Sequence, residues 1–513
     1  MTYSVLNIPK LSRLTQVALP LGAAVSAAAG AFIDPAFYAG TAGLGGLSAF
    51  DTYLRYFQTK HAILRNFGIV GAIRHGLESV GPELRQYVVA NDTEERPFSR
   101  RARALLYRLG KGESGNVAFG TILDLEGRAT ILHTMCPVED NEVMPFRLVF
   151  GEARDCRNPM IITNPIIVSG MSYGSIGKNA TMALSKGAAM AGIPLNTGEG
   201  GLTEYHLYGG GNIILQLGTE KFGFRNPNSS LNEGKLLEAV RRYPIAAIEL
   251  KGQQGAKPNG GGILLGDKVT EEIARIRGVP VGETIHSRRN HIECKDIPST
   301  IDFIGYVQRL VEIPVGWKMC LGYVEGKGGF REFVHEMKRK DIFPDYIALD
   351  GAEGGTGAAP QELMDGVGVP IFPALETVNR VLEEESVRDR LKIIASGKLA
   401  DPETQFRALA YGADAIAMAR GFLIGGNGCI QAMDCSSGNC PSGNTTHDPR
   451  LQRGLVVEEK AVRVANLARN LHSGLTNLLA VTGRKSFYEI DRSLIREPER
   501  NYSKGSVNLP ILR

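Results

Sequence analysis

The sequence predicts an α/β protein built on a (β/α)8 TIM barrel, preceded by an N-terminal helical hairpin and a helical and β lead-in region. From Asn164 onward, short apolar runs typical of strands alternate with amphipathic stretches typical of helices. The apolar runs end in glycines and polar residues, as expected where barrel strands open onto a ligand site. The length of 513 residues accommodates extensions as well, since a barrel takes roughly 250 residues or more.

Seven stretches are candidate barrel strands. In chain order they are PIIVSGMS, GIPLNTGEGG, AAIELKGQQG, PVGWKMCLG, DYIALDGAEGGTG, KIIASG and AIAMARG, near residues 165, 192, 246, 314, 345, 392 and 415. We expect the residues that follow each run to line one face of the barrel. No segment repeats at a fixed period of about 20 to 50 residues, which argues against a solenoid.

The composition is that of an ordinary globular protein, with 22% charged and 43% hydrophobic residues. The formal net charge of +4 is too small to indicate nucleic acid as a partner. The seven cysteines are an odd number in a long chain with no cleavable signal pattern. They indicate a reducing compartment and argue against a disulfide framework.

An apolar segment near the N-terminus, residues 14–54, predicts a helical hairpin. Val17 to Phe50 carries one charge, Asp34, and the Asp34-Pro35 step divides it into two apolar runs. Each run is somewhat short beside the roughly 20 residues of a membrane-spanning helix. Basic residues on both flanks favour a cytoplasmic position for both ends. We expect attachment to the cytoplasmic face of a membrane through residues 14–54, the alternative being a buried or oligomerising hairpin in a cytoplasmic protein.

Four parts follow from these patterns. The hairpin occupies residues 1–60, and residues 61–150 form the lead-in. In that lead-in LRNFGIVGAIRHGLESVGPELRQYVV predicts helices broken at glycine and proline, and FGTILDLEG and ATILHTM predict short strands. Residues 151–480 form the barrel, and residues 481–513 form a C-terminal tail.

Three cysteines lie close together in GCIQAMDCSSGNCPSGN, residues 428–444 of the barrel part. Cys429, Cys435 and Cys440 are spaced by six and five positions on a loop whose glycines and proline disfavour a regular helix. Thiolates in this arrangement can converge on one soft metal centre. Zinc would usually require a fourth ligand, for which His447 is near, and buried free thiols are the remaining alternative.

Two glycine-containing turns precede the cysteine loop and predict a phosphate site. Ser396 and Gly397 follow one predicted strand, and Ala419 and Arg420 follow the next. Barrels bind phosphate at the ends of their last two strands through backbone amides and a helix N-terminus. An arginine at this position adds positive charge to the phosphate site. A single such pair would more often be an ordinary turn.

At these strand ends the chain resembles the FMN-binding synthase domain of the glutamate synthases. The resemblance rests on SGMSYGSIGKNA, LNTGEGG, IELKGQQGAKPNGGGILLGDKVTEEIA, DGAEGGTGAAP and GCIQAMDCSSGNCPSGNTT, in the family order, from about Pro165 to Asp448. HAILRNFGIVGAIRHG and PFSRRARALLYR resemble the short stand-alone branch of that family. The resemblance implies FMN as cofactor and a [3Fe-4S] cluster held by Cys429, Cys435 and Cys440.

The resemblance also implies which residues hold the flavin. Lys251 would lie at the N1/C2=O edge of the ring, where a cation stabilises the reduced anionic form. Lys318 would be a second cation, whereas a merely buried strand lysine would need a partner. The implied cofactor-binding set is Ser169, Gly170, Met171, Ser172, Asn196, Lys251, Gln254, Lys318, Gly354, Gly355, Ser396, Gly397, Ala419 and Arg420.

The implied catalytic set is Glu199, Lys251, Lys257, Arg277 and Glu353. Glu199 would lie where ammonia meets the substrate, and Lys257 and Arg277 would bind a dicarboxylate. Without the resemblance, Glu199 would be interpreted as a helix N-terminal carboxylate and Arg277 as a solvated helix residue. Two departures from the family concern the substrate: Ile263 stands where a polar residue is usual, and SRRNH at residues 287–291 replaces a proline-rich turn.

The activity implied is reductive amination of 2-oxoglutarate by ammonia, through 2-iminoglutarate, to L-glutamate. The sequence contains no recognisable amidotransferase segment and no convincing GxGxxG dinucleotide module. We therefore expect electrons from a donor protein or a quinone, a separate glutaminase or reductase subunit as an option, and a homo-oligomer. The alternatives are a membrane-associated flavin and iron-sulfur oxidoreductase for another substrate, and a subunit of an N-methylglutamate synthase-like complex.

Overall fold

The computed structural model of the protein describes residues 8–498. It divides the chain into two compact units, which meet in sequence between Pro97 and Phe98. The division falls inside the predicted lead-in, because the helix Arg100–Lys111 packs on the last long helix, Val457–Val481, in the second unit.

Eight parallel strands in the second unit close into a barrel. They are β1 (Ile166–Val168), β2 (Leu195–Asn196), β3 (Ile213–Leu217), β4 (Ile245–Lys251), β5 (Val315–Met319), β6 (Tyr346–Asp350), β7 (Lys392–Ser396) and β8 (Ala415–Met418). Each pairs with its neighbours in chain order, and β8 pairs with β1 to close the ring. The predicted (β/α)8 barrel is confirmed.

Helices cover the outside of the barrel between successive strands, so the strands are buried on both faces. They are Lys178–Ala191, Glu204–Leu207, Glu233–Arg242, Ile297–Leu310, Phe330–Lys340, Ile371–Glu384, Pro402–Ala410 and Val457–Val481. Inside the barrel, Tyr346 is fully buried, and its hydroxyl donates to the Ile248 carbonyl at 3.2 Å. A Cβ at Gly316 would lie 2.2 Å from this ring, so Gly316 provides the space that the ring fills.

Strand β3 was not predicted from the sequence. Its five residues, IILQL, are all buried, and the loop that follows them carries none of the motifs that indicated a site after other strands. The helix before it, Glu204–Leu207, has only four residues, which obscured the alternation of strands and helices. The other seven barrel strands lie in the stretches predicted for them.

An insertion between β4 and the helix Ile297–Leu310 carries part of the site. It contains a small antiparallel pair, Ile263–Leu264 with Ile285–His286, and the helix Glu271–Arg277. Its apolar side chains form a separate cluster that includes Phe222, Val269 and Ile273. The insertion therefore has a small core of its own beside the barrel.

Short strands before and after the barrel complete this unit. Leu148–Phe150 pairs with Met160–Ile162, and Thr130–Ile131 pairs with Ile495–Arg496 near the end of the described chain. The predicted strand in ATILHTM is thus present, but FGTILDLEG forms no strand. The predicted tail from residue 481 is described only to residue 498, so the rest of that prediction lies outside the described residues.

The first unit is helical. The long helices Ile8–Phe32 and Phe37–Thr52 pack against each other as the predicted hairpin, and a π-helix, Tyr53–Phe57, continues the second. Shorter helices follow, broken near glycines as expected: Ala62–Phe67, Ile69–Ser79, Gly81–Leu84 and Arg85–Val89. Within residues 8–498, one helical stretch, Ser12–Phe32, is long and apolar enough to cross a membrane, a property it shares with signal sequences and with core helices of soluble proteins.

A buried ion pair closes the base of the hairpin. Arg55 Nε donates to Asp51 at 2.6 Å, and its other nitrogens donate to the carbonyls of Ser12, Asn66 and Phe67. The second Asp51 oxygen accepts the Ile69 N–H at 2.7 Å. These contacts connect the start and end of the hairpin with the helices after it.

Candidate active site

A cavity opens at the carboxyl ends of the barrel strands, the face on which barrel enzymes carry their sites. Of the predicted residues it is lined by Ser169, Gly170, Met171, Ser172, Glu199, Lys251, Gln254, Lys257, Arg277, Lys318, Gly354, Gly355, Ser396, Gly397, Ala419 and Arg420. Residues at or after the ends of β1, β2, β4, β5, β6, β7 and β8 thus meet in one place. Asn196 and Glu353 are not among the lining residues.

Asn196 contributes to a buried polar layer inside the barrel. Its amide nitrogen donates to the Glu249 carboxylate at 2.9 Å, and Gln216 donates to the same oxygen at 2.6 Å. The Asn196 carbonyl oxygen accepts the Gly198 N–H at 3.0 Å. Because Gln216 lines the cavity, this layer fixes the side of the cavity that β3 contributes. Gln216 was missed because its strand was missed.

Glu199 and Lys251 form an ion pair inside the cavity, with 2.9 Å between Oε1 and Nζ. Lys251 also donates to the side-chain carbonyl of Gln254. Burial alone would raise the pKa of Glu199, but attraction to Lys251, and less strongly to Lys257 and Arg277, outweighs it and lowers the pKa. Glu199 is therefore an ionised carboxylate among three cations, not a carboxylate at a helix N-terminus.

Lys257 is the second cation of this cluster. Its side chain is buried, and Nζ donates to the Ala358 carbonyl at 2.7 Å. Burial lowers the pKa of Lys257 to about 8, with repulsion from Lys251 in the same direction and Glu199 opposing. An anionic ligand beside Lys257 would favour its charged form.

Arg277 ends the helix Glu271–Arg277 and points into the cavity. One terminal nitrogen donates to the Tyr173 carbonyl at 2.9 Å, whereas the buried Nε has no hydrogen-bond partner. Burial lowers the pKa of Arg277 to about 10, although Glu199 opposes this. Because Arg277 lines the cavity, its guanidinium is suited to a carboxylate ligand there. Arg277 is thus part of the cavity and not a solvated helix residue.

Lys318 lies beside Lys251, because the register of β4 and β5 pairs the two residues. It is buried, and its ammonium group has no hydrogen-bond or ion-pair partner within the described residues 8–498. A buried lysine without a protein partner is costly. The cavity therefore offers this ammonium group to an anion or to an electron-rich ring edge.

His291 contacts the backbone of Lys251. From the sequence it was noted only as part of SRRNH, the turn at residues 287–291 that departs from the family pattern. Its Nε2 lies 3.0 Å from the Lys251 carbonyl, and its ring packs beside Trp317 and Phe303. Burial lowers the pKa of His291 to about 3, so the ring is neutral. The same turn brings Ser287 to the cavity. Because His291 and Lys251 are distant in sequence, no local pattern predicted the contact between them.

The loop after β6 combines one lining residue with one structural residue. Asp350 lines the cavity and accepts hydrogen bonds from the Gly255 N–H and the Ser396 hydroxyl, both at 2.7 Å. Glu353, predicted as catalytic, instead accepts the Ile371 N–H and caps the helix Ile371–Glu384. Burial raises the pKa of Glu353, and backbone hydrogen bonds partly offset this. Glu353 therefore stabilises a helix start, and the geometry gives it no contact with the cavity.

The turns after β7 and β8 form the other end of the cavity. Gly397 to Ala400 and Ala419 to Gly421 line it. Arg420 lies over the Phe98 ring at 5.2 Å and donates to the Glu353 carbonyl at 2.6 Å. A Cβ at Gly355 would lie 2.5 Å from Arg420 Nε, so only glycine leaves room for this arginine. Phe98 and Lys398 were not foreseen from the sequence.

These residues fit the flavin that the sequence resemblance implies. The cavity joins glycine-rich turns suited to a phosphate with the paired lysines suited to a ring edge. Within the described residues, the Lys318 ammonium group has no side-chain partner, and a bound anionic group would supply one. One wall is apolar, formed by Ile263, Leu264 and Ile285 of the insertion.

The three predicted metal ligands lie on the loop after β8. Burial raises the pKa of Cys429 to about 11, and the charges of Cys435 and Cys440 act in the same direction. Cys435 also lines the cavity. Among residues 8–498, however, no group of three or more Cys, His, Asp or Glu side chains has a geometry ready to hold a metal ion. All three are free thiols.

A parallel barrel with a cation-lined cavity at the carboxyl ends of its strands defines a barrel enzyme. The sequence pattern described as "conserved region in glutamate synthase" matches residues 133–485. The glutamate synthase large subunit-like protein YerD of Bacillus subtilis is 39% identical over 469 residues, covering 84% of this chain and 88% of that protein. The chain belongs to the glutamate synthase family, a family of oxidoreductases.

More distant relatives are longer than the shared region. An archaeal-type glutamate synthase (NADPH) of Thermotoga neapolitana is 36% identical over 307 residues, covering 60% of this chain and 56% of that protein. The archaeal glutamate synthase (NADPH) of Methanocaldococcus jannaschii is 34% identical over 325 residues, covering 63% and 60%. Among solved structures, a mandelate oxidase aligns with a TM-score of 0.44 at 15% identity, covering 78% of this chain and 97% of that chain.

Proposed function

We propose that the protein is an FMN- and iron-sulfur-dependent oxidoreductase that converts 2-oxoglutarate and ammonia into L-glutamate. The observation that carries this proposal is the cluster of Lys251, Lys257 and Arg277 around the single carboxylate of Glu199. Three cations and one anion give the site a net positive charge, which the two negative charges of a dicarboxylate would neutralise. The names of the relatives, glutamate synthases, agree with this substrate.

The reaction divides into imine formation and reduction. Ammonia adds to the keto carbon of 2-oxoglutarate, water leaves, and the C=N bond of 2-iminoglutarate then takes up a hydride at carbon and a proton at nitrogen. FMN, when bound, supplies the hydride. Lys257 and Arg277 would hold the two carboxylates, and the ionised Glu199 would attract ammonium and accept its N–H hydrogen bonds.

Cys429, Cys435 and Cys440 would hold a [3Fe-4S] cluster that passes single electrons to the flavin. The spacing of the three cysteines on one loop and the place of Cys435 in the cavity wall support this assignment. Electrons would come from a donor protein or a quinone. Ammonia would come from solution or from a separate glutaminase subunit, and the enzyme would function as a homo-oligomer.

We further propose that residues 14–54 attach the enzyme to the cytoplasmic face of a membrane. Large apolar side chains are exposed along both limbs, and the buried Asp51–Arg55 pair confines the buried charge to the base. The stretch Ser12–Phe32 of the first limb has 21 residues, about 31 Å at 1.5 Å per residue, which matches a hydrocarbon core of about 30 Å. Tyr53, Tyr56 and Phe57 are exposed at that base, as in interfacial aromatic belts.

A second candidate function is a membrane-bound flavin and iron-sulfur oxidoreductase for another substrate, including an N-alkylated amine as in N-methylglutamate synthase-like complexes. The apolar wall of Ile263, Leu264 and Ile285 favours it, since a small dicarboxylate and ammonia need no such wall. The two candidate functions use the same cofactors and differ in the substrate that accepts the hydride.

The test is reoxidation of the dithionite-reduced holoenzyme under anaerobic conditions, followed by flavin absorbance. We expect rapid reoxidation with 2-oxoglutarate plus ammonium and none with either alone. Arg277→Lys should raise the 2-oxoglutarate concentration required, whereas Arg275→Lys, on the exposed side of the same helix, should not. Reoxidation by methylamine in place of ammonium, or only by another acceptor, would exclude the glutamate assignment.

A further inference from the structure

Glu272 binds two tyrosines on the rim of the barrel. Its carboxylate accepts the Tyr173 hydroxyl at 2.5 Å through Oε2 and the Tyr205 hydroxyl at 2.7 Å through Oε1. Tyr173 lies on the loop after β1, and Tyr205 lies on the short helix after β2. The two rings pack at 4.9 Å between centroids, and both are buried. Glu272 thus connects the insertion to two different strand-end segments.

The same insertion helix is attached to Tyr173 a second time. Glu272 lies in its first turn, after the Thr270 cap, and Arg277 is its last residue. Arg277 donates to the Tyr173 carbonyl at 2.9 Å, while Glu272 accepts from the Tyr173 hydroxyl. One residue of the barrel rim is therefore bonded to both ends of the helix.

The space around Arg277 leaves little freedom. A Cβ at Gly174 would lie 3.0 Å from the Arg277 terminal nitrogen, and a Cβ at Gly200 would lie 2.8 Å from it. The guanidinium therefore occupies a slot between two glycines. A small rotation of the helix would move it out of this slot, so the attachment at the other end of the helix affects where the charge lies.

We infer that Glu272 is a positioning residue that holds Arg277 in the cavity by clamping its helix to Tyr173 and Tyr205. This inference rests on the proposed function only where it names 2-oxoglutarate as the ligand of Arg277. The carboxylate does not line the cavity. Its effect is on the affinity for the dicarboxylate, because it orders the cation that binds it, and not on the reduction step.

His447 extends the clamp toward the cysteine loop. Its Nε2 lies 3.0 Å from the Gly174 carbonyl, and its ring meets that of Tyr173 edge to face at 5.5 Å. Tyr173 is therefore fixed by contacts on three sides. The clamp is specific to Glu272, since the neighbouring Glu271 is exposed and bonds neither tyrosine.

The test compares Glu272→Ala with Glu271→Ala in the full-length holoenzyme. Both variants remove one charge from the same helix turn, but only the first removes the clamp. For Glu272→Ala we expect the KM for 2-oxoglutarate to rise about tenfold or more, as when buried hydrogen bonds that hold a binding group are lost, with kcat nearly unchanged. Tyr205→Phe, which leaves Tyr173 bonded, should give a smaller rise, and Glu271→Ala should give none.

Hydrogen exchange provides a second measurement of the same variants, which does not require catalytic turnover. The amides of residues 271–277 should exchange faster in Glu272→Ala than in Glu271→Ala, with equal flavin content in both. Unchanged exchange and unchanged KM in Glu272→Ala would overturn the inference, as would a fall in kcat without a change in KM. Failure of the wild-type enzyme to aminate 2-oxoglutarate would instead count against the proposed function, and the exchange result would still decide the clamp.

Discussion

Lys251 and Lys318 stand side by side at the ends of β4 and β5, but only Lys251 has a carboxylate partner. The strand register pairs the two residues directly, and Glu199 lies 2.9 Å from Lys251. Lys318 has no partner within the described part of the chain. One cation is therefore balanced by the protein, and the other is available to a ligand.

Lys318→Met should weaken FMN binding without unfolding the barrel. The variant keeps the length of the side chain and removes a buried charge that only a ligand satisfies. We expect the dissociation constant of FMN to rise about tenfold or more, the loss of a hydrogen bond to a charged group. Titration of the apoprotein with FMN measures it. Lys327→Met, in the exposed loop after the same strand, is the control, and equal affinities in the two variants would contradict the assignment.

Glu199→Gln should move the pH dependence of substrate binding to lower pH. Lys257 has a pKa of about 8, so in the wild-type enzyme the affinity for a dicarboxylate falls as pH rises through that value and the ammonium loses its proton. Glu199 opposes the lowering of this pKa. Without its charge the pKa falls further, and affinity is lost at a lower pH. KM for 2-oxoglutarate measured from pH 6 to 9 checks this.

Glu204→Gln is the control for that experiment, because Glu204 is an exposed carboxylate at the start of a short neighbouring helix. It should reproduce the wild-type curve. Superimposable pH profiles for Glu199→Gln and the wild type would show that Glu199 does not act on Lys257.

Gly170→Ala should reduce flavin content. The new Cβ would lie 2.7 Å from the Asn196 side-chain oxygen and 3.0 Å from the Gln216 nitrogen. Both amides are held on Glu249, so neither can withdraw without breaking a buried hydrogen bond. Overpacking of this kind typically costs about 1–3 kcal/mol. The measurements are the FMN-to-protein ratio and Tm.

Gly322→Ala, after β5, is the matched control, since a Cβ there meets nothing within 4 Å. It should behave as the wild type. Normal flavin content and normal Tm in Gly170→Ala would mean that the polar layer is free to rearrange.

The sequence was sufficient for the barrel and for most of the cavity, because both depend on local signals. Apolar runs locate strands, and the chemistry at their carboxyl ends locates Lys251 and Lys318. Glu353 was predicted as catalytic from a motif that is the same whether the side chain turns to the cavity or to the Ile371 N–H, which it contacts in the structure. Its orientation is decided by packing of the loop, which no local pattern records.

Contacts between segments that are distant in sequence also could not be predicted. Gln216 entered the cavity on an unidentified strand, and His291 reaches Lys251 across forty positions. Glu272 carries an acidic side chain in a first helical turn, where dipole stabilisation explains it fully without a partner. The tyrosines that it binds are separated from it by 99 and 67 positions. Only the folded arrangement distinguishes a clamp from an ordinary helix start.

Asp51→Asn should loosen the base of the N-terminal hairpin. Arg55 is buried and would lose the carboxylate partner it has within residues 8–498, and breaking a buried pair from one side costs about 3–5 kcal/mol. We expect tryptic cleavage at Lys60 to accelerate at least about a hundredfold, since cleavage follows local opening. Asp34→Asn at the exposed turn should have no effect, because an amide oxygen still accepts the Ala36 N–H.

The double variant Asp51→Leu with Arg55→Met separates charge from packing. Removing both charges should restore much of the protection lost in the single variant. If cleavage is as fast in the double variant, the hydrogen bonds of Arg55 to the Ser12, Asn66 and Phe67 carbonyls, and not its ion pair, hold the hairpin base.

Cys435→Ser should remove iron from the protein while FMN remains bound. A hydroxyl is a poor ligand for a cluster that selects thiolates, and three ligands leave no substitute when one is lost. Cys435 is one of many residues that line the cavity, so we expect the flavin to keep its other contacts. Iron and sulfide analysis with the visible spectrum measures both cofactors.

Cys136→Ser, an exposed cysteine of the second unit, is the matched control and should retain iron. Photoreduction of the flavin should proceed in Cys435→Ser, whereas reduction by an external one-electron donor should be slow, because the proposed cluster would be the entry point of its electrons. If iron is bound equally in the two variants, the three thiols are not its ligands. If iron is absent even from the wild-type protein purified without oxygen, the loop is a thiol-rich wall of the flavin cavity and electrons must reach the flavin directly.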